Sequence, residues 1–280
     1  MMNDIYITKA NGERELFDPN KLINSLVKSG ADEATSKSVL EKVRDNIVDG
    51  SNTADIYKKA FAILKSIDKS KRIVSRYSLR KSIFDLGPTG FPFEVLVSEI
   101  FKRKGYQTTV GVIVKGFCVE HEIDVLAEKD DEIVYVETKF HNTHHMRSDL
   151  KVALYIKARF EDLIEKGSQS GNENKKKDFW LITNTKFTSE ALKFGQCSNL
   201  NLIGWNYPKV GNLQDMIEEA GLHPLTCLHG ISSAIKKSLI EKDIVLCTQL
   251  KDNLDILKEF GLSDKKIQAV SKEIENFYSF

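Results

Sequence analysis

The sequence predicts a multidomain α plus α/β protein: a small hairpin with a helical bundle, a central α/β core on a mixed sheet, and a C-terminal helical subdomain. Three observations carry that reading. At 280 residues the chain is long enough for about two domains, with three small ones allowed. Apolar residues recur at helical spacing near both ends, whereas the middle alternates helix, hairpin, helix, strand, helix and strand. Breakers punctuate the seams, Gly87-Pro88-Thr89-Gly90 on one side and Asn206-Tyr207-Pro208 with Gly211 on the other, giving segments 1–87, 91–210 and 213–280.

Composition narrows the function classes. The chain carries 41 Lys+Arg against 40 Asp+Glu, a net charge of +1, so it is neither a basic nucleic-acid arm nor an acidic tail. Hydrophobic content of 41% with 29% charged residues excludes wholesale disorder. No apolar run reaches the ~20 residues needed to cross a bilayer, and MMNDIYITKANGERE has no signal-peptide core. Cys118, Cys197, Cys227 and Cys247 are scattered without a CxxC, which suits neither a zinc ribbon nor a disulfide framework. The expectation is a soluble, cytoplasmic protein without a membrane partner.

The first element is a hairpin: Ile5 and Ile7 alternate with polar residues, Asn11-Gly12 supplies a turn, and Glu13–Phe17 return. Asp18-Pro19 then starts a helix, with Asp as N-cap and Pro where its missing N–H does no harm. Leu22, Ile23, Leu26 and Val27 form its stripe and Gly30 ends it. Val39, Val43 and Ile47 continue at helical spacing. Ile56, Ala60, Ile63, Leu64 and Ile67 do so from an Asn52/Thr53 start, and Ile73, Val74, Tyr77 and Phe84 form a last helix.

In the middle region the expected elements are a helix over 93–103, strands over 117–127 and 132–140 around Lys129-Asp130-Asp131, and a helix over 149–166. A polar loop over 167–178 follows, then strands over 179–183 and 200–205 around a helix at 189–197. Beyond 213 the spacing is helical again, through Leu225, Leu228, Ile235, Leu239, Leu250, Leu254, Leu257 and Val270.

Chemistry concentrates in the hairpin. A turn centred between Asp130 and Asp131 sets Asp124 opposite Glu137, and the two-residue strand period puts Lys139 on the same face as Glu137. Two facing carboxylates repel and weaken a sheet unless something relieves them. A divalent cation with hard oxygen ligands does so, and Mg²⁺ (or Mn²⁺) suits the site. Metal-held carboxylates beside an ammonium serve phosphodiester hydrolysis, in which water must be oriented and phosphate charge absorbed. Ordinary cross-strand charge pairs on a solvated face are the alternative reading of the same spacing.

Asp124 followed by Glu137-Thr138-Lys139 resembles the PD-(D/E)XK nuclease motif. Its surroundings, FPFEVLVSEIFKRKGYQTTV (91–110), HEIDVLAE (121–128) and YVETKFHN (135–142), resemble the Mrr-like restriction endonucleases over roughly residues 91–205. The resemblance implies a metal held by Asp124 and Glu137, with Lys139 activating water or stabilising the transition state. It also implies a supporting role for Glu94 in the first helix, and His121 approaching the scissile phosphate. It further implies a DNA substrate, a homodimer or higher homo-oligomer, and a role in defence against foreign DNA. His141, His144 and His145 suggest zinc less than a loop that meets DNA phosphate with Arg147 and Lys151. Affinity for DNA is expected from local basic stretches, Lys102-Arg103-Lys104 and Lys175-Lys176-Lys177.

Residues 5–86 resemble an ATP-cone, through Ile7-Thr8-Lys9, the Asn11-Gly12 turn, Arg14-Glu15, Phe17-Asp18, Lys21-Leu22, Thr53-Ala54-Asp55-Ile56-Tyr57 and Tyr77-Ser78-Leu79-Arg80. That resemblance implies ATP or dATP as a regulatory ligand. Lys9 and Lys21 would meet phosphates, Glu15 and Leu22 would line the base or ribose, and Thr53 and Tyr57 would complete the pocket. A helix N-terminus near two lysines suits an anion. Ala10 departs from the family pattern, which often has a basic residue there. Residues 236–270 are similar to a helix-hairpin-helix module, with a helical docking or dimerisation subdomain as the alternative. The functional expectation is a Mg²⁺-dependent DNA endonuclease controlled by adenine nucleotide. Its alternatives are a nucleotide-responsive DNA-binding regulator with an inert core, and a structure-specific repair nuclease.

Overall fold

Residues 5–9, 12–68, 72–169 and 175–278 are described by the computed structural model, and the first of them form the expected hairpin. Strands β1 (Tyr6–Thr8) and β2 (Arg14–Leu16) pair antiparallel with Ile7 opposite Glu15. Asn11 of the turn, and Ala10, lie outside the described residues. Helix α1 (Pro19–Lys28) starts where expected: the Asp18 carboxylate accepts the Asn20 N–H at 2.9 Å and Pro19 takes the first helical position. Helices α2 (Glu33–Arg44), α3 (Thr53–Ile67) and α4 (Arg72–Phe84) follow, α3 capped by the Asn52 side chain on the Asp55 N–H. Leu26, Val39, Val43, Ala60, Leu64 and Val74 share one fully buried core.

The central region opens with α5 (Phe91–Arg103) and then β3 (Gln107–Lys115), a strand not expected from the sequence. Its residues alternate cleanly between half-buried and exposed, but Gly111 interrupts the β-branched run and turns the backbone to φ 63, a left-handed value that favours glycine. Then come β4 (Glu120–Lys129), β5 (Glu132–Lys139), the short β6 (Arg147–Ser148) and α6 (Leu150–Gln169). After these lie β7 (Lys176–Thr183), the short β8 (Lys186–Phe187), α7 (Ser189–Cys197) and β9 (Asn201–Ile203). The sheet order is β3-β4-β5-β7-β9. Its first two pairings are antiparallel and its last two parallel, so it is mixed as expected.

Period-two alternation decides which helix each strand residue meets. On β7, Phe179 and Leu181 join the core beneath α6 and α7, with Phe179 stacked on Phe160 of α6 at 4.4 Å. Trp180 between them meets Phe101 of α5 at 5.4 Å. Helices therefore cover the two faces of the sheet, as buried parallel strands require.

Helix α8 (Leu213–Ala220) has a reciprocal Asn212/Asp215 capping box and ends on Gly221 at φ 65. A tight turn (Leu225–Cys227), α9 (Ser233–Ile240), α10 (Cys247–Lys251), α11 (Ile256–Glu259) and α12 (Asp264–Tyr278) complete the chain. The chain divides into two compact units. Met1–Ser82, Thr226–Ile235 and Lys251–Phe280 make one; Ile83–Leu225 and Lys236–Leu250 make the other. The helical segment expected over 213–280 is thus shared between the two units. The physical reason is length: α10 and α11 have five and four residues, too few to bury a core of their own.

Helix α7 approaches β9 closely because residue 195 has no side chain. A methyl there would lie 2.5 Å from Leu202 Cδ1 and 2.7 Å from its Cγ. Gly195→Ala is expected to lower stability by about 1–3 kcal/mol through overpacking, read as an earlier urea midpoint. An unchanged midpoint would contradict that packing.

Candidate active site

The site grows from the point where β4 and β5 part. Their ladder holds the expected register from Lys129–Glu132 to Val125–Val136 and stops there. On the other side the pairing of β4 with β3 passes from Val125–Val110 to Ile123–Val112, skipping Asp124 and Gly111. Asp124 is therefore left out of both ladders. Its carboxylate instead accepts the Thr138 backbone N–H at 2.6 Å and the Thr138 hydroxyl at 3.1 Å, both on Oδ2. Burial raises the pKa of Asp124, and these two bonds oppose the rise.

Glu137 lies opposite, only 5% exposed. Oε2 accepts Nη1 of Arg159 from α6 at 2.8 Å, while Oε1 is buried with no hydrogen-bond partner. Burial, then the charge of Asp124, pushes its pKa up to about 8, against the pull of Arg159. Glu94, in the first turn of α5, is pushed up to about 7 by burial and then by Asp124 and Glu122. Three carboxyl groups thus feel one another in a poorly solvated place. Among the described residues no three His, Cys, Asp or Glu side chains reach metal-ligating spacing, so Glu94 acts on the pair at electrostatic range.

A cavity of about 380 Å³ is lined by Asp124, Glu137, Lys139, Lys151, Tyr155 and Arg159, among others. Lys139 is exposed at its rim, at the end of β5. Behind it the Thr183 hydroxyl donates to the Lys139 carbonyl at 2.7 Å. The buried Asn184 amide brackets His141, accepting its N–H at 2.8 Å and donating to its carbonyl at 2.9 Å. A larger hollow of about 800 Å³, bordered by Lys157, Lys176, Lys177 and Tyr207, gathers no carboxylate cluster. The paired carboxylates Asp124 and Glu137 line the smaller one.

His121 is not among the cavity-lining residues. Its Nε2 lies 2.7 Å from Oδ2 of Asp162 on α6, a carboxylate that also accepts the Cys118 N–H at 2.7 Å and the Val119 N–H at 3.3 Å. Those bonds, Cys118 foremost, hold Asp162 down to about 2. The expected approach of His121 to phosphate gives way to a structural tie between β4 and α6. The other histidines separate. His141 Nε2 is 3.2 Å from the Ser148 hydroxyl, and the His144 ring packs on Phe84 at 3.8 Å. Of the expected basic stretches, Lys176 is engaged by Glu132 at 3.1 Å and Asp178 at 2.8 Å, Lys175 faces Glu128 at 3.8 Å, and Lys102 pairs with Glu99 at 2.6 Å.

In the N-terminal unit, Lys9 and Lys21 converge on Glu15 at 2.9 and 3.2 Å. Leu22 is buried below, and Thr53 opens α3 next to the Thr8–Asn52 bridge. Tyr57 turns inward and stacks on Tyr77 at 5.2 Å. Asp18 already caps α1, so an anion there would be met by lysines rather than by free helix amides.

Sequence reasoning missed Arg159, Asp162, Tyr155 and Asn184. The polar run Thr183-Asn184-Thr185 after an apolar strand was a signal, since all three are fully buried. Arg159 and Asp162 gave none, because charges on an amphipathic helix read as solvated until the helix is laid on its sheet.

A restriction endonuclease family model matches residues 88–207, and an AF1548-like, C-terminal model matches residues 223–277. The second match covers the segment for which a helix-hairpin-helix or a docking subdomain was expected. A relative described as an uncharacterized protein of Archaeoglobus fulgidus is 36% identical over 178 residues, covering 63% of this chain and 97% of that protein. A crystal structure described as a protein of unknown function, AF1548, is 34% identical with a TM-score of 0.53, covering 67% of this chain and 97% of that one.

Because Glu94 and Glu137 are raised from about 4.5 toward 7 and 8, both favour folding when protonated. Their contribution is complete below pH ~4.5 and is lost as pH rises through 7 and 8. In metal-free protein, Glu137→Gln is expected to raise the thermal midpoint relative to wild type at pH 8.5 and to change it less at pH 5. An equal effect at both pH values would contradict the assigned burial.

Proposed function

The chain belongs to the AF1548-like family and carries a restriction endonuclease domain; on that premise we propose that it is a divalent-metal-dependent deoxyribonuclease governed by adenine nucleotide. The observation that carries the reading is the orphaned Oε1 of Glu137 beside Asp124. A buried carboxylate oxygen without a partner costs about 1–3 kcal/mol or more, and a hard cation is the partner that two repelling carboxylates favour. The donor set is all oxygen, which suits Mg²⁺ or Mn²⁺ better than zinc.

Asp124 and Glu137 would hold the ion, which when bound supplies Lewis acidity toward phosphate and a more acidic water. Thr138 fixes Asp124 through two hydrogen bonds, so the carboxylate does not reorganise on binding. Lys139 places an ammonium at the rim, where it neutralises charge growing on the non-bridging phosphate oxygens and orients the attacking water. Lys151, on the same cavity wall, meets a neighbouring phosphate. Glu94 keeps the pocket electronegative, and His121, tied to Asp162, steadies the strand that presents Asp124. Two copies acting on two strands would explain a homodimer or higher homo-oligomer, and defence against foreign DNA is the role this activity serves.

The N-terminal unit is proposed as an ATP-cone binding ATP or dATP. Its support is the convergence of Lys9 and Lys21 on one carboxylate. Both ammonium groups are partly exposed and would exchange Glu15 for phosphate oxygens.

Supercoiled plasmid incubated with Mg²⁺ or Mn²⁺ is expected to be nicked or linearised, with cleavage abolished by chelator. Asp124→Ala and Lys139→Ala should each slow it by about 10²–10³-fold. Binding without cleavage under every metal and nucleotide condition would favour an inert-core regulator, and faster cleavage of branched DNA a repair nuclease. For the sensor, Lys9→Ala and Lys21→Ala should each weaken ATP or dATP binding in calorimetry. Unchanged affinity in both variants would remove the assigned pocket.

A further inference from the structure

Arg159 is fixed at three points. Nη1 donates to Oε2 of Glu137 at 2.8 Å, and Nη2 donates to the Glu122 carbonyl. The guanidinium carbon also lies 5.5 Å from the centre of the Tyr155 ring. Its side chain is 14% exposed and that of Glu137 6%. Glu122 is on β4 and Glu137 on β5, so one guanidinium spans the gap beyond the last rung of their ladder, at Val125–Val136. A planar fork does this because its N–H groups point in two fixed directions; an ammonium offers one point charge.

The terminal torsion of a glutamate is soft, so a lone carboxylate would sample many orientations. Committing Oε2 to Arg159 removes that freedom and leaves Oε1 buried, unpartnered and beside Asp124. The geometry points to Arg159 as a positioning residue that engages one oxygen of Glu137 so that the other is presented, alone, to the divalent cation. This role rests on the nuclease reading above. Partners of this kind behind metal ligands typically change affinity 10–100-fold when removed.

The test titrates Mn²⁺ into full-length protein, following free Mn²⁺ by electron paramagnetic resonance, for wild type, Arg159→Ala, Arg159→Lys and Asp124→Ala. Thermal melts without metal are recorded alongside. Arg159→Ala should bind Mn²⁺ about 10–100-fold more weakly, and Arg159→Lys should recover part of the loss. If Arg159→Ala does not fold, Arg159→Lys carries the test alone, with weakening expected relative to wild type. Arg159 variants that bind Mn²⁺ as tightly as wild type, or more tightly, would overturn the positioning role while the site itself stood. Wild type that binds no Mn²⁺, or Asp124→Ala that binds it unchanged, would overturn the metal site and this role with it.

Discussion

Two carboxylates held side by side where water is scarce are the constraint around which the central unit is arranged. Asp124 and Glu137 face each other because the β4–β5 ladder runs to Val125–Val136 and then opens. Left alone, that proximity would favour a slipped register or neutralised side chains. The surrounding elements oppose this from three directions. Thr138 donates twice to Asp124, Arg159 donates to Glu137, and the Thr183–Asn184 layer holds the chain that leaves β5. None of these contacts adds much apolar burial. They keep a costly arrangement in one geometry, as preorganised sites require.

The helices supply the rest. Helix α6 contributes Phe160 to a stack with Phe179 and, from another side, Arg159 and Asp162 to the motif strands. One amphipathic element thereby packs the sheet and orients the polar ends of β4 and β5. Helix α5 on the opposite face carries Glu94 in its first turn, close enough to raise the proton affinity of Glu137 without sharing a contact cluster.

Much of this was legible in the chain itself. The Asp130–Asp131 turn centre gives the observed register, and the Asp18 and Asn52 caps mark two helix starts where their side chains accept backbone N–H groups. Strand β3 was harder to see, because Gly111 breaks an otherwise regular alternation and the reason for that glycine is a left-handed backbone opposite Asp124. The partners of the motif were hidden for another reason. Arg159 and Asp162 lie 22 and 41 residues from Glu137 and His121, and such long-range pairing leaves no local periodic trace. Tyr57, a residue type suited to a ligand pocket, stacks here on Tyr77, a partner 20 residues away that no local pattern announced.

The way the chain shares its last segment bears on how it is made. Residues 1–82 form one compact unit together with 226–235 and 251–280, while most of the other unit is a continuous stretch from 83 to 225. Domains tend to condense as units while synthesis proceeds from the N-terminus. The sheet with its carboxylate pair can therefore assemble on the ribosome from sequence already emerged, whereas the unit built on residues 1–82 stays incomplete until α12 is released. Condensation of the two units is thereby ordered in time, the carboxylate-bearing sheet ahead of the unit that α12 completes.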